Sequence, residues 1–152
     1  MRHREVYIVA TLVIGGSRGI GFEIARAFAR NGKTVLINYA SNGERAEVAR
    51  DEILSEGGNC LLVAGDISTP QGCTALAEQV LQHTPHVDQV VHSAVMAFAT
   101  GALEADPEQF SQAVAVNGLS LLYVVQAMSF LLRRGSSIFY LSSRGGRTVI
   151  EN

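Results

Sequence analysis

Apolar β-branched runs and helix-periodic segments alternate along this chain from end to end, and that alternation constrains its fold more than any other feature. Residues 6–14 are a β-branched apolar run that stops at Gly15-Gly16. Residues 19–30 repeat Ile20, Ile24, Ala27 and Phe28 at helical spacing before Gly32, and residues 34–38 read as a short strand. Residues 44–55 read as a polar-faced helix closed by Gly57-Gly58, and residues 60–64 as a third strand. Thr69-Pro70 pairs a capping side chain with a proline at the first helical position, opening a helix to residue 82. Residues 87–92 follow as the fourth strand. Asp106-Pro107 repeats the cap-and-proline signal and opens one long helix to residue 132, ahead of a fifth strand at 137–141.

Five strands alternating with four helices predict an α/β, Rossmann-like, doubly wound parallel sheet with right-handed crossovers. No repeat or linker divides residues 1–152, so they read as one domain, with strand order 3-2-1-4-5. In that order the fifth strand is an edge. Its Ile138, Phe139, Tyr140 and Leu141 include no charge or proline to protect it, which predicts a further strand and helix beyond Asn152.

Composition agrees with a sheet covered on both faces: 47% of the 152 residues are hydrophobic and 17% charged. A net charge of −2 offers no general attraction to nucleic acid or anionic lipid, so neither is expected as a partner. Cys60 and Cys73 form no C-x-x-C, and His3, His83, His86 and His92 no zinc pattern, so no metal is expected and a reducing, cytoplasmic setting is the default. Met1-Arg2-His3-Arg4 and the apolar run behind it mimic a secretory signal. The run has no A-x-A cleavage site and leads into a glycine loop, so a buried strand is the preferred reading. No unbroken apolar stretch approaches the ~18 residues that span a bilayer.

The glycine loop, Gly15-Gly16-Ser17-Arg18-Gly19-Ile20-Gly21, lies between the first strand and the first helix. Gly15 permits the turn, Gly19 lets backbone approach a pyrophosphate, and Gly21 lets the helix pack closely on the sheet. The helix N-terminus adds unpaired N–H groups and a positive dipole end, so the loop, Ser17 and Ile20 included, is a candidate dinucleotide site. A purely structural glycine turn is the alternative. The loop lacks the Gly-Lys-Ser/Thr of a P-loop, which disfavours NTP hydrolysis. An NAD site needs a carboxylate at the end of the second strand, yet that region reads Asn38-Tyr39-Ala40-Ser41-Asn42, with no acid before Glu44. Arg18, with Arg45 as a second cation, could hold a 2′-phosphate instead, and NADP(H) is therefore favoured, with Asn38 and Ser41 among its candidate contacts. Arg18 as a solvated loop residue is the competing reading.

These segments resemble the short-chain dehydrogenase/reductases from residue 6 to residue 143. Val13-Ile14-Gly15-Gly16-Ser17-Arg18-Gly19-Ile20-Gly21 is similar to the family's T-G-x-x-x-G-I-G, with Ile14 where threonine is usual. Asp66-Ile67 resembles its adenine-contacting pair. Asn117 matches the asparagine of its catalytic tetrad, and Ser142-Ser143 its serine, with Ser143 the better match. The resemblance implies that Ser143 hydrogen-bonds the substrate oxygen and that Asn117 holds a relay water. Solvent-facing asparagine and a turn-forming serine are the structural alternatives. Where the family has N-N-A-G, this chain has His92-Ser93-Ala94-Val95, with Ser93 a candidate cofactor contact. That segment and the tail from Ser142 to Glu151-Asn152 are more like the enoyl-acyl-carrier-protein reductases, although 3-oxoacyl reductases share nearly everything else.

The resemblance also requires a tyrosine proton donor and a partnering lysine, and this chain holds neither pairing. Its only lysine is Lys33, which follows none of Tyr7, Tyr39, Tyr123 and Tyr140 at the spacing that pairing needs. The chain therefore reads as the N-terminal portion of an NADPH-dependent reductase of enoyl or 3-oxo acyl thioesters, small or carrier-bound, and as inactive alone. A non-catalytic dinucleotide-binding module or a gene remnant is the alternative. Leu119, Leu122, Val125, Met128 and Leu132 form a helical stripe broader than a core needs, which predicts self-association.

Overall fold

A computed structural model describes residues 9–98, 100–101 and 103–143. Strands β1 (Ala10–Ile14), β2 (Thr34–Tyr39), β3 (Asn59–Ala64), β4 (Gln89–His92) and β5 (Ser137–Tyr140) form one parallel sheet in the order β3-β2-β1-β4-β5. Helices α1 (Gly19–Arg30), α2 (Gly43–Ser55), α3 (Pro70–His83), α4 (Pro107–Val114) and α5 (Ser120–Met128) connect them. The expected fold class and strand order are the observed ones.

Alternation along each strand sends neighbouring side chains to opposite faces. Leu12, Ile14, Leu36, Val63 and Val90 meet Cys73, Leu76 and Val80 of α3 and Val124 and Met128 of α5 in one core. Val13, Val35, Ile37, Cys60 and Val91 meet Phe22, Ala25 and Ala29 of α1 and Ala49 and Ile53 of α2 in the other. Both faces are thus covered, which is why the strands read as unbroken apolar runs. All of β1 is buried, so the expected first strand is present over residues 10–14; residues 1–8 lie outside the described residues.

Cap chemistry sets the helix starts. Thr69 Oγ1 accepts from Gly72 N–H at 3.1 Å and Asp106 Oδ1 from Glu108 N–H at 3.0 Å, each with proline next. Asn42 Oδ1 accepts from Arg45 N–H at 2.9 Å, which starts α2 one residue earlier than expected.

The expected single helix over 107–132 is corrected in two ways. A π-helical turn, Ala115–Leu119, separates α4 from α5, and the helix ends at Met128. The Leu131 carbonyl instead accepts from Val87 N–H at 2.9 Å, tying the chain to the start of β4. The composite helix Pro107–Met128, 22 residues with an 18-residue stretch of mean hydropathy 1.3, is long and apolar enough to cross a membrane by length and composition. Here one side of it, Ala113, Ser120, Val124 and Met128, is buried against the domain. That is the position of a sheet-covering helix.

Candidate dinucleotide and active site

The order β3-β2-β1-β4-β5 makes the gap between β1 and β4 a switch point: the connection after β1 runs one way and the chain returns through α3 to the other side. Crevices above such points, at the carboxyl ends of the strands, are where α/β sheets bind ligands. The glycine loop rises there. Gly15 has φ +73°, and a Cβ on it would lie 2.7 Å from Ala94 Cα. A Cβ on Gly21 would collide with the Gly15 carbonyl and lie 3.0 Å from Ser93 Oγ. Gly19 differs: its φ is +57°, yet none of the described residues lies within 4 Å of where its Cβ would be. The loop is therefore packed at both ends and open in the middle, where a phosphate needs room. The first turn of α1 has no acidic residue and its start no side-chain cap, leaving N–H groups and the dipole facing that opening.

Ser93 is drawn onto the loop by its N–H, which donates to the Ile14 carbonyl at 3.0 Å. Arg18 and Ile20 are exposed and Ser17 half-buried beside it. Arg45, on the first turn of α2, lines an open cleft of about 690 Å³ together with Gly19, Ile20, Phe22, Glu23, Ile24 and Ala27. Two guanidinium groups thus flank the start of α1.

The residues expected on the other half of the crevice separate into two groups. Ser41 and Asp66 are exposed at the ends of β2 and β3, and Asp66 Oδ1 accepts from Ser68 N–H at 2.9 Å. Asn38 is 3% exposed, and its amide donates to the Val63 and Gly65 carbonyls at 3.3 and 3.1 Å. Its side-chain amide staples β2 to β3. Ile67 is buried in the α3-side core beside Cys73. Their types in the sequence could not distinguish these structural roles from ligand contact. Burial pushes the Cys60 and Cys73 thiols up to about 12 and about 11, so neither is a ready nucleophile.

Across β4 lies a second polar cluster. Asn117 is half-buried, and its side-chain amide is bonded to the loop that leaves β4. Its Oδ1 accepts from Met96 N–H at 2.8 Å and its Nδ2 donates to the Met96 carbonyl at 2.6 Å. Ser142 and Ser143 are exposed just past β5, whose ladder is extended by Leu141 N–H donating to the His92 carbonyl at 3.0 Å. Met96, Ala97, Phe98, Phe110, Ala113, Val114 and Asn117 line an apolar cleft of about 290 Å³ beside this cluster. The tail that resembles the enoyl reductases lies, from residue 144 on, outside the described residues. Lys33 sits in the turn before β2, at the amino ends of the strands and so away from the crevice.

Three residues of this cluster were not anticipated. His92 is 1% exposed, with its Nε2 2.7 Å from Ser120 Oγ and its ring centroid 5.1 Å from that of Tyr140. The Tyr140 hydroxyl donates to the Asn117 carbonyl. The available signal was register: polar rings at 92 and 140 stand opposite each other on adjacent strands of otherwise apolar character.

A glycine loop at a switch point, opposite a polar cluster at the carboxyl ends of β4 and β5, is the arrangement of a Rossmann-like α/β fold. This chain belongs to the short-chain dehydrogenase/reductase family, and the family described as enoyl-(acyl carrier protein) reductase matches residues 14–152. It is 33% identical over 132 residues to a versicolorin reductase of Emericella nidulans, covering 87% of this chain and 50% of the relative. It is 32% identical over 135 residues to the 1-cyclohexenylcarbonyl-CoA reductase of Streptomyces collinus, covering 89% and 48%. Among solved structures, a short-chain dehydrogenase/reductase of Serratia marcescens superposes with a TM-score of 0.85 at 26% identity, over 93% of this chain and 58% of that one. An alcohol dehydrogenase of Thermococcus sibiricus complexed with 5-hydroxy-NADP gives 0.84 at 27%, over 93% and 61%. The chain spans about half the length of the curated relatives it matches.

Proposed function

We propose that this chain is the nucleotide-binding half of an NADP(H)-dependent reductase. The observation that carries this is the charge around the crevice: Arg18 and Arg45 flank the start of α1, while β2 ends in Asn38, Tyr39, Ala40, Ser41 and Asn42 with no carboxylate. Guanidinium groups suit a 2′-phosphate, whereas free ribose hydroxyls call for an acid there. The NADP ligand of the Thermococcus relative supports the same cofactor. When bound, the cofactor supplies a hydride. This chain's residues would hold its pyrophosphate on the loop and α1, and its 2′-phosphate on the two arginines.

The substrate is an enoyl or 3-oxo acyl thioester. The apolar cleft beside Asn117 suits the hydrocarbon part, and Ser143 at the adjoining strand end would donate to the carbonyl oxygen. The matched family description and the Streptomyces CoA-ester reductase support this class. No tyrosine–lysine pair is available in this chain to protonate product, and loss of a general acid costs ~10²–10⁴ in rate. The 152-residue polypeptide therefore binds cofactor without appreciable turnover. A non-catalytic dinucleotide-binding module is the second reading, favoured by the sole lysine lying far from the crevice. The exposed Phe110 and Val114 on α4, Leu119 in the π turn and Leu122 on α5 suit self-association.

Fluorescence titration with NADPH and NADH tests the cofactor assignment. NADPH should bind more tightly, and Arg18→Ala or Arg45→Ala should remove most of the preference. Equal binding of the two cofactors would overturn the NADP(H) assignment.

A further inference from the structure

The π turn between α4 and α5 displaces backbone carbonyls from the α-helical ladder, because it pairs residues five apart instead of four. Ser120 N–H reaches back to the Ala115 carbonyl. The next two carbonyls, of Val116 and Asn117, are both taken by hydroxyl groups: Ser120 Oγ donates to Val116 at 2.6 Å, and the Tyr140 hydroxyl donates to Asn117. Ser120 has one proton, and it goes to Val116, so the 2.7 Å contact with His92 is a donation from His92 Nε2–H. That fixes the imidazole tautomer and leaves Nδ1 as a buried acceptor with no partner among the described residues. Tyr140 tilts its ring against this imidazole, at 46° between planes. The π turn is therefore held from β4 through Ser120 and from β5 through Tyr140.

The object so held is the Asn117 amide, whose two hydrogen bonds to Met96 act like a strand partner for the loop leaving β4. With the glycine loop on β1 and the adenosine half over β2 and β3, the other half of a dinucleotide crosses the switch point and lies over β4 and β5. The loop through Met96 is a wall of that half.

We propose that Tyr140 is a positioning residue: its hydrogen bond to the Asn117 carbonyl fixes the π turn, which fixes the Met96 loop that borders the nicotinamide. This rests on the dinucleotide reading above. Neither Tyr140 nor His92 touches the cofactor; both act through Asn117.

The test compares two probes on the wild-type chain, Tyr140→Phe and Ser120→Ala. NADPH spans both halves of the crevice, and adenosine 2′,5′-bisphosphate only the glycine-loop and adenosine side. Tyr140→Phe should weaken NADPH about fivefold, the loss of one net hydrogen bond, and leave the bisphosphate unchanged. Hydrogen exchange at the Met96 amide should quicken in both variants. Unchanged NADPH affinity with unchanged Met96 exchange overturns the proposal. Equal weakening of both probes also overturns it, since that is general destabilisation. If the wild-type chain binds neither probe, the dinucleotide reading fails and takes the proposal with it. Binding of both probes by wild type, with Tyr140→Phe indistinguishable from it, sinks the positioning role alone.

Discussion

Gly19 and Gly21 stand two residues apart and are glycine for different reasons. At Gly21 any side chain meets the Gly15 carbonyl, a rigid backbone atom. Gly21→Ala should therefore destabilise the fold by ~1–3 kcal/mol through overpacking, read as a lowered urea midpoint. Gly19 has open space but φ +57°. Gly19→Ala should cost only ~1–2 kcal/mol of backbone strain and yet lose NADPH affinity, because its methyl enters the phosphate space. Equal stability and binding losses in both variants would contradict this division. His92 makes a third residue-scale prediction. Burial lowers its pKa below the ordinary 6.5, so the unfolded chain binds more protons there than the folded one and stability falls as pH drops below 6.5. Glu56, bonded to Arg26 and Arg30, is held at about 2 against an ordinary 4.5, so its loss comes separately, between those values. Urea midpoints from pH 7.5 to 5.5 should decline in the wild type and flatten in His92→Gln.

At the scale of elements, β5 is the exposed member of the sheet. Ile138, Phe139 and Tyr140 are 40%, 50% and 40% exposed, and among the described residues β5 is paired along one edge, by β4. The α4–α5 helix presents a separate apolar side through Leu119 and Leu122. Sedimentation velocity can separate the two: Phe139→Lys should reduce association driven by the strand edge, and Leu122→Glu association driven by the helix. If neither substitution changes the sedimentation of an associating wild type, both surfaces are excluded. The π turn belongs to this scale as well. A period of 3.6 fits residues 107–132 continuously, because one inserted residue shifts the apolar stripe too little to register in the pattern. Its reason lies outside the helix, in Tyr140 and His92 on other strands.

For the molecule as a whole, two cores hold one sheet, and a defect in either should be felt throughout. Leu36→Ala, fully buried in the α3-side core, should cost ~2–5 kcal/mol. Saturating NADPH should restore ~2.7 kcal/mol of stability at a hundredfold excess over Kd, by mass action on the folded state. A thermal midpoint unmoved by NADPH would argue against a formed crevice.

The fold was readable because its signals are local: strands covered on both faces must be apolar throughout, caps precede prolines, and glycines mark the loop. The spacing Gly15-x-x-x-Gly19-x-Gly21 placed the glycine loop between β1 and α1 for the same reason. Asn38 and Asn117 show where local reading stops. Both are polar residues at plausible site positions, and both have side chains committed to backbone groups 25 and 21 residues away. Such partners are chosen by strand order and helix packing, which bring distant segments together. Strand sequence and spacing by themselves determined a doubly wound sheet with a glycine loop at its switch point. Tertiary structure alone decided which polar groups stay open to a ligand and which are consumed in holding the chain, because buried hydrogen-bonding groups must find partners wherever the fold places them.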